Sequence, residues 1–128
     1  MTKPLTNIFL LTDFSEGSKN AIQFAIEAFG NRVNYHVLNS FYIRAVGGTM
    51  VDLGDELEAV SQNNLNKMIA ELIDNFPSIK DHLSGKIYFG TPLDAIEQHA
   101  SSNPCDLIVM EIQEKLMGKV FYLEARPY

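Results

Sequence analysis

Cysteine, basic residues and long apolar runs are all scarce in this chain of 128 residues. The single cysteine, Cys105, cannot form an internal disulfide, which fits a reducing compartment such as the cytoplasm. The ten lysine and arginine residues are scattered singly and are outnumbered by sixteen acidic residues, giving a net charge of -6. Because nucleic acids are bound by clustered positive charge, we expect no nucleic-acid partner.

The apolar run nearest the N-terminus covers only residues 8–11. A signal peptide needs an apolar core of about 7 to 15 residues, and a membrane-spanning helix needs about 20. We therefore expect a cytoplasmic protein without a membrane partner. The hydrophobic fraction of 46% and the charged fraction of 20% are typical of a globular protein, so a single domain over residues 1–128 is predicted.

Strand and helix patterns alternate along the chain. Short apolar or alternating runs predict four strands, over residues 8–11, 33–39, 86–89 and 106–110. Helical spacing of apolar residues predicts a helix between each strand and the next. This β-α-β-α-β-α-β order indicates an α/β fold with an open, doubly wound, mainly parallel sheet.

Capping residues mark the first two helices. Ser15 is a good N-cap for the first helix, and Gly30 is a typical stop. The second helix is long and ends at Pro77, after a glycine-bearing loop over residues 41–53. The predicted buried stripe of the first helix is Ala21, Phe24, Ala25, Ala28 and Phe29.

The third helix has strong start signals. Thr91 can cap it, Pro92 suits its first position, and Asp94 completes an approximate capping box. Its buried stripe is predicted to be Leu93, Ile96 and Ala100.

Four short segments occur in a characteristic order: Leu11-Thr12-Asp13-Phe14-Ser15, His36-Val37, Gly90-Thr91-Pro92 and Asp106-Leu107-Ile108-Val109-Met110. Together they make the chain resemble the universal stress protein family over roughly residues 5–110. The resemblance implies a sheet order of 3-2-1-4, with an extra edge strand from the C-terminus. It also implies a crevice between strands one and four, where some members of the family bind ATP.

The resemblance assigns four binding residues. Thr12 and Asp13 match positions that line the adenine and ribose end of the family's site, Val37 matches an apolar contact from strand two, and Met110 closes strand four. These residues predict binding of an adenine-containing small molecule. For Asp13 a purely structural interpretation stays open, because aspartate readily accepts hydrogen bonds from amide groups at the start of a helix.

The phosphate side of the family's site is altered. Glu111 and Glu114 stand where ATP-binding members place two glycines, and no serine or threonine follows Ser102. Glutamate adds a side chain and a negative charge beside the phosphates, so we expect impaired or absent ATP binding and no required cofactor. The alternative is a member that binds ATP and Mg²⁺ with at most slow hydrolysis. No catalytic residue is predicted, and an enzyme is the less favoured interpretation.

The remaining candidates for chemistry receive plainer interpretations. Glu111 and Glu114, three residues apart, suggest a solvated face rather than a carboxylate pair. His36, His82 and His99 fall on different predicted elements without ligand spacing, so no metal site is predicted.

The C-terminal segment over residues 119–124 is rich in aromatic and β-branched residues and predicts a strand. We expect it to pair with a second subunit and form a homodimer, because an uncovered fourth strand would be an aggregation hazard. Antiparallel pairing with its own chain, or no fixed structure, are the alternatives.

Overall fold

The computed structural model describes residues 6–41, 54–114 and 118–125, with backbone alone for 54–55, 112–114 and 118–125. The elements in chain order are β1 Asn7–Leu11, α1 Glu16–Phe29, β2 Asn34–Phe41, α2 Gly54–Asn75, a 3-10 helix Pro77–His82, β3 Leu83–Phe89, α3 Pro92–Ala100, β4 Leu107–Glu114 and β5 Gly118–Ala125. Phe41 ends β2, and the rest of the loop predicted over 41–53 lies outside the described residues.

The strands form a single five-stranded sheet in the order β3-β2-β1-β4-β5. The first four are mutually parallel, which confirms the predicted order 3-2-1-4. β5 is antiparallel to β4 of its own chain, with Met110 opposite Tyr122. The predicted C-terminal strand is present, and it covers the edge of β4 by antiparallel pairing within its own chain, which was one of the alternatives.

Helices cover both faces of the sheet. α1 and α2 pack on one face, and their buried side chains form one core with alternate residues of β1 and β2 such as Ile8 and Val37. α3 packs on the other face, where Ile96 contacts Phe9 and Leu38. This arrangement follows from right-handed crossovers, since the chain moves from β1 towards β3 in one direction and returns past β1 to reach β4.

The capping predictions are confirmed. The Ser15 hydroxyl accepts the Ser18 amide at 3.2 Å, and Thr91 and Asp94 form the reciprocal capping box of α3. Gly30 ends α1 with a φ of +64°, a region that suits glycine, and its carbonyl accepts the Tyr35 hydroxyl at 2.7 Å.

The predicted buried stripes are partly wrong. On α1, Ala21 and Ala25 are buried as expected, but Phe24 is 54% exposed and Ile22 and Ile26 take the buried positions. Apolar residues surround most of α1, so spacing alone does not fix which face meets the sheet. On α3 the exposed fraction of Leu93 is 58% and Ala100 is exposed, whereas Ala95 and His99 are buried beside Ile96. The polar His99 lies inside because its ring nitrogens find hydrogen-bond partners.

Candidate functional site

A cavity of about 160 Å³ opens at the carboxyl ends of the strands, where the chain changes direction between β1 and β4. Open α/β sheets bind ligands at such a switch point. Pockets for drug-sized ligands measure roughly 300–1,000 Å³, so this cavity encloses a ring system, and the rest of a nucleotide would extend out of its open side. Its lining residues are Leu11, Thr12, Asp13, Ser18, Leu38, Ser40, Pro92, Ala95, Met110 and Glu111.

The turn from β1 into α1 forms one side of the cavity. Phe14 has a φ of +66°, an uncommon conformation for a residue with a side chain. Its amide is held by the Thr12 hydroxyl at 2.9 Å, and the Thr12 and Ser18 hydroxyls lie 2.8 Å apart. These contacts fix the direction in which the chain leaves β1.

The hydroxyl protons of this turn can be assigned. Ser18 donates its only hydroxyl proton to the Ser15 carbonyl at 3.0 Å. Thr12 must therefore donate to Ser18 while it accepts the Phe14 amide. The Thr12 hydroxyl proton is already used inside the protein, so Thr12 lines the cavity mainly as a structural residue.

Asp13 is exposed at the cavity mouth, and its carboxylate accepts the Ser15 amide at 2.9 Å. Partial burial would raise the pKa of this carboxyl, but hydrogen bonds, chiefly from the Ser15 side chain and amide, outweigh burial and hold the pKa below its ordinary value. Asp13 therefore carries a negative charge at neutral pH. The Asp13 carboxylate thus accepts an amide at the start of α1 and also lines the cavity, so the structural and the binding interpretations are compatible.

Strand β2 contributes residues other than the one predicted. Val37 is fully buried in the core between the sheet and helices α1 and α2, away from the cavity. Side chains alternate along a strand, so Leu38 and Ser40 face the cavity instead. The structure thus brings Thr12, Asp13 and Met110 of the predicted set to one cavity and places Val37 elsewhere.

Glu111 is the residue of the cavity whose position the sequence missed. It belongs to β4, and its carboxylate lines the cavity. The interpretation as a solvated face is wrong for Glu111, and the side chain of Glu114 lies outside the described residues. Glu111 is half-buried, and its carboxylate lies against Gly17 in the first turn of α1, where a Cβ on Gly17 would overlap it. A helix N-terminus stabilises a nearby negative charge.

The cavity is acidic at its polar end. Asp13 and Glu111 both contribute carboxylates, and among the described residues that line it there is no lysine or arginine. Within the described parts of the chain, no group of three or more histidine, cysteine or acidic side chains could hold a metal ion. The arrangement suits a neutral or cationic ligand with hydroxyl groups and an apolar ring better than a polyanion.

Comparison with known proteins identifies relatives by family and by fold. The model of the universal stress protein family matches residues 4–121. A search of curated protein sequences finds no significant match to the chain.

Several solved structures share the fold. Protein Rv1636 from Mycobacterium tuberculosis H37Rv is 17% identical, with a TM-score of 0.64 over 91% of this chain and 79% of that one. UspA from Lactobacillus plantarum is 21% identical, with a TM-score of 0.63 over 84% and 77%. A universal stress protein in complex with cAMP is 17% identical, with a TM-score of 0.57 over 82% and 75%. Among the helices described here, none has the length and apolar character needed to cross a bilayer.

Proposed function

Because the chain belongs to the universal stress protein family, we propose that it is a stress-response binding module whose cavity takes the nucleoside part of an adenine-containing ligand and disfavours a polyphosphate. The observation that carries this proposal is the position of Glu111, whose carboxylate lies at the start of α1 on the cavity wall. The module acts in the cytoplasm by binding rather than by catalysis.

The shape and polarity of the cavity support a nucleoside ligand. Leu11, Leu38 and Met110 give it apolar surface on which a flat ring can pack. The ionised Asp13 carboxylate at its mouth is the kind of group that accepts hydrogen bonds from a ribose diol.

The charges on the wall oppose a triphosphate. Two like charges about 4 Å apart repel by roughly 4 kcal/mol where the effective dielectric constant is about 20, before screening by salt. A triphosphate would bring several such charges towards Asp13 and Glu111 with no described lysine or arginine on the lining to offset them. The charges on the described lining therefore disfavour the phosphate groups of ATP.

A cyclic nucleotide is the second candidate ligand. One structure of similar fold is a universal stress protein in complex with cAMP. cAMP carries a single negative charge, so Glu111 opposes it less than it opposes ATP.

Calorimetric titration with adenosine tests the proposal. We expect adenosine to bind the wild-type chain and Asp13→Asn to weaken it about tenfold or more, since the amide keeps the size but loses the charge that strengthens the hydrogen bonds. Asp74→Asn, an exposed change on α2, is the matched control and should leave the affinity unaltered. Absence of adenosine binding, or equal affinities in the two variants, would contradict a nucleoside site at Asp13.

We further propose that the protein is a homodimer joined through β5. β5 lies at one end of the sheet and, among the described strands, pairs only with β4. Its other edge can pair with the same strand of a second copy, which gives a two-fold interface.

A further inference from the structure

A chain of hydrogen bonds crosses the α3 face of the sheet, opposite α1 and α2. Asn7 Oδ1 lies 3.0 Å from His36 Nε2, and His36 Nδ1 lies 2.8 Å from His99 Nε2. The Tyr88 hydroxyl lies 2.6 Å from His99 Nδ1. Four residues from β1, β2, β3 and α3 are thus joined in one line, which we call the histidine chain.

The proton positions in the histidine chain follow from its ends. Asn7 Oδ1 only accepts, so His36 carries its proton on Nε2 and accepts at Nδ1. His99 must then donate from Nε2, and its Nδ1 accepts the Tyr88 hydroxyl proton. Every link has one donor and one acceptor when both imidazoles are neutral.

The histidine pair can hold one extra proton but not two. If His99 gains a proton at Nδ1, the Tyr88 oxygen can accept it after its own hydrogen rotates away. If His36 is protonated as well, two N–H donors face each other across 2.8 Å. The second proton therefore replaces the hydrogen bond between His36 and His99 by a repulsion between two donors.

The surroundings resist protonation. Burial above all, together with the positive charges of His36 and Lys86, lowers the pKa of His99 to about 4. Burial also lowers the pKa of His36. The Phe9 ring centroid lies 4.8 Å from that of His99.

Among the described residues, few other ionisable groups face the pair. On β3, Lys86 lies over the Tyr88 ring at 5.3 Å from its centroid, and burial raises the pKa of Tyr88 itself. On the chain segment before β4, Asp106 accepts the backbone amides of Thr6 and Asn7 rather than a ring nitrogen. From β1, the neighbouring groups are the neutral Asn7 and Phe9.

We propose that the His36–His99 pair is an acid-sensitive latch that holds the C-terminal turn of α3 on the sheet and opens on uptake of a second proton. The same helix carries Pro92 and Ala95 on the cavity wall, so opening the latch changes the cavity. The latch is formed by contacts between α3 and the sheet, so its test does not depend on which ligand the cavity binds.

Stability should follow pH with a defined sign. The folded-state pKa of His99 lies below its ordinary 6.5, so the folded protein binds this proton less readily than the unfolded chain does. The latch contributes fully above about pH 6.5, and its contribution is lost as the pH falls towards about 4.

Denaturant unfolding at several pH values between neutral and about pH 5 tests the latch. We expect the wild-type free energy of unfolding to fall over this range and His36→Gln to reduce that fall to about half or less, because one of the two protons is gone. The control is His82→Gln. His82 bonds to Asn34 and is not a member of the histidine chain, so this variant should keep the wild-type fall in the free energy of unfolding. Equal falls in His36→Gln and the wild type would overturn the proposal.

Nuclear magnetic resonance of the unmodified chain gives a test that needs no variant. Nitrogen shifts should show both rings neutral at pH 7, with protons on Nε2 of each. On acidification, the contacts between Phe9 and His99 should vanish as the pair takes up its second proton. Uptake of two protons with these contacts intact would disprove the latch.

Discussion

At the scale of single residues, Glu111 has the largest effect on the proposed specificity. Its carboxylate lies against Gly17, so an acidic side chain from β4 occupies the space beside the first turn of α1. A helix N-terminus favours a nearby negative charge. The absence of a side chain at Gly17 therefore leaves the space that the Glu111 carboxylate occupies.

The pairing of Gly17 with Glu111 can be measured by a double-mutant cycle in urea. Alanine favours a helix over glycine by roughly 0.5–1 kcal/mol, so Gly17→Ala should stabilise the Glu111→Ala protein by about that amount. In the wild type the new Cβ must displace the carboxylate, and we expect the gain to shrink or reverse. Equal effects of Gly17→Ala in both backgrounds would mean that the carboxylate does not rest on Gly17.

Residue positions were predictable only where a motif fixed them. Thr12, Asp13 and Met110 follow from segments next to strand ends, and all three line the cavity. Leu38 and Ser40 could not be chosen over Val37, because the choice depends on where β2 ends and which face α3 covers. His36 and His99 lie 63 positions apart, and only the sheet brings their rings together.

At the scale of elements, features set by nearby residues could be predicted from the sequence, and features set by distant residues could not. The capping groups of α1 and α3 act within four residues of sequence, so they could be identified from the sequence. β4 was expected to end at Met110, but it continues to Glu114 because β5 pairs with it along its whole length. The length of a strand depends on its partner, which the sequence of that strand does not contain.

From the outer edge of β5 we predict a homodimer. Light scattering at tens of micromolar should report a mass twice the 14.4 kDa of one chain. Neighbouring residues of a strand point their amides to opposite edges of that strand. One of the two variants Phe121→Pro and Tyr122→Pro therefore removes an amide on the outer edge of β5. We expect that variant to be monomeric with an intact sheet. A wild-type mass of 14.4 kDa at these concentrations would rule out the β5 dimer.

At the scale of the whole molecule, the alternation of strands and helices fixed the fold. Right-handed crossovers and the family resemblance gave the parallel order 3-2-1-4, and the structure has that order. The switch point between β1 and β4 then places Asp13 and Glu111 on one small cavity. The acidic character of that cavity follows from strand topology together with two side chains, and it is the basis of the proposed selectivity.

The most direct test of the proposed selectivity is calorimetric titration of ATP with Mg²⁺ and of adenosine into the wild type, Glu111→Gln and Glu111→Gly. We predict that the wild type binds adenosine more tightly than ATP, and that both variants tighten ATP about tenfold or more while adenosine changes by less than about threefold. Glu111→Gln keeps the size of the side chain, so it separates charge from space. A wild-type dissociation constant for ATP near 1 μM, about -8 kcal/mol, with no change in Glu111→Gln, would contradict the account.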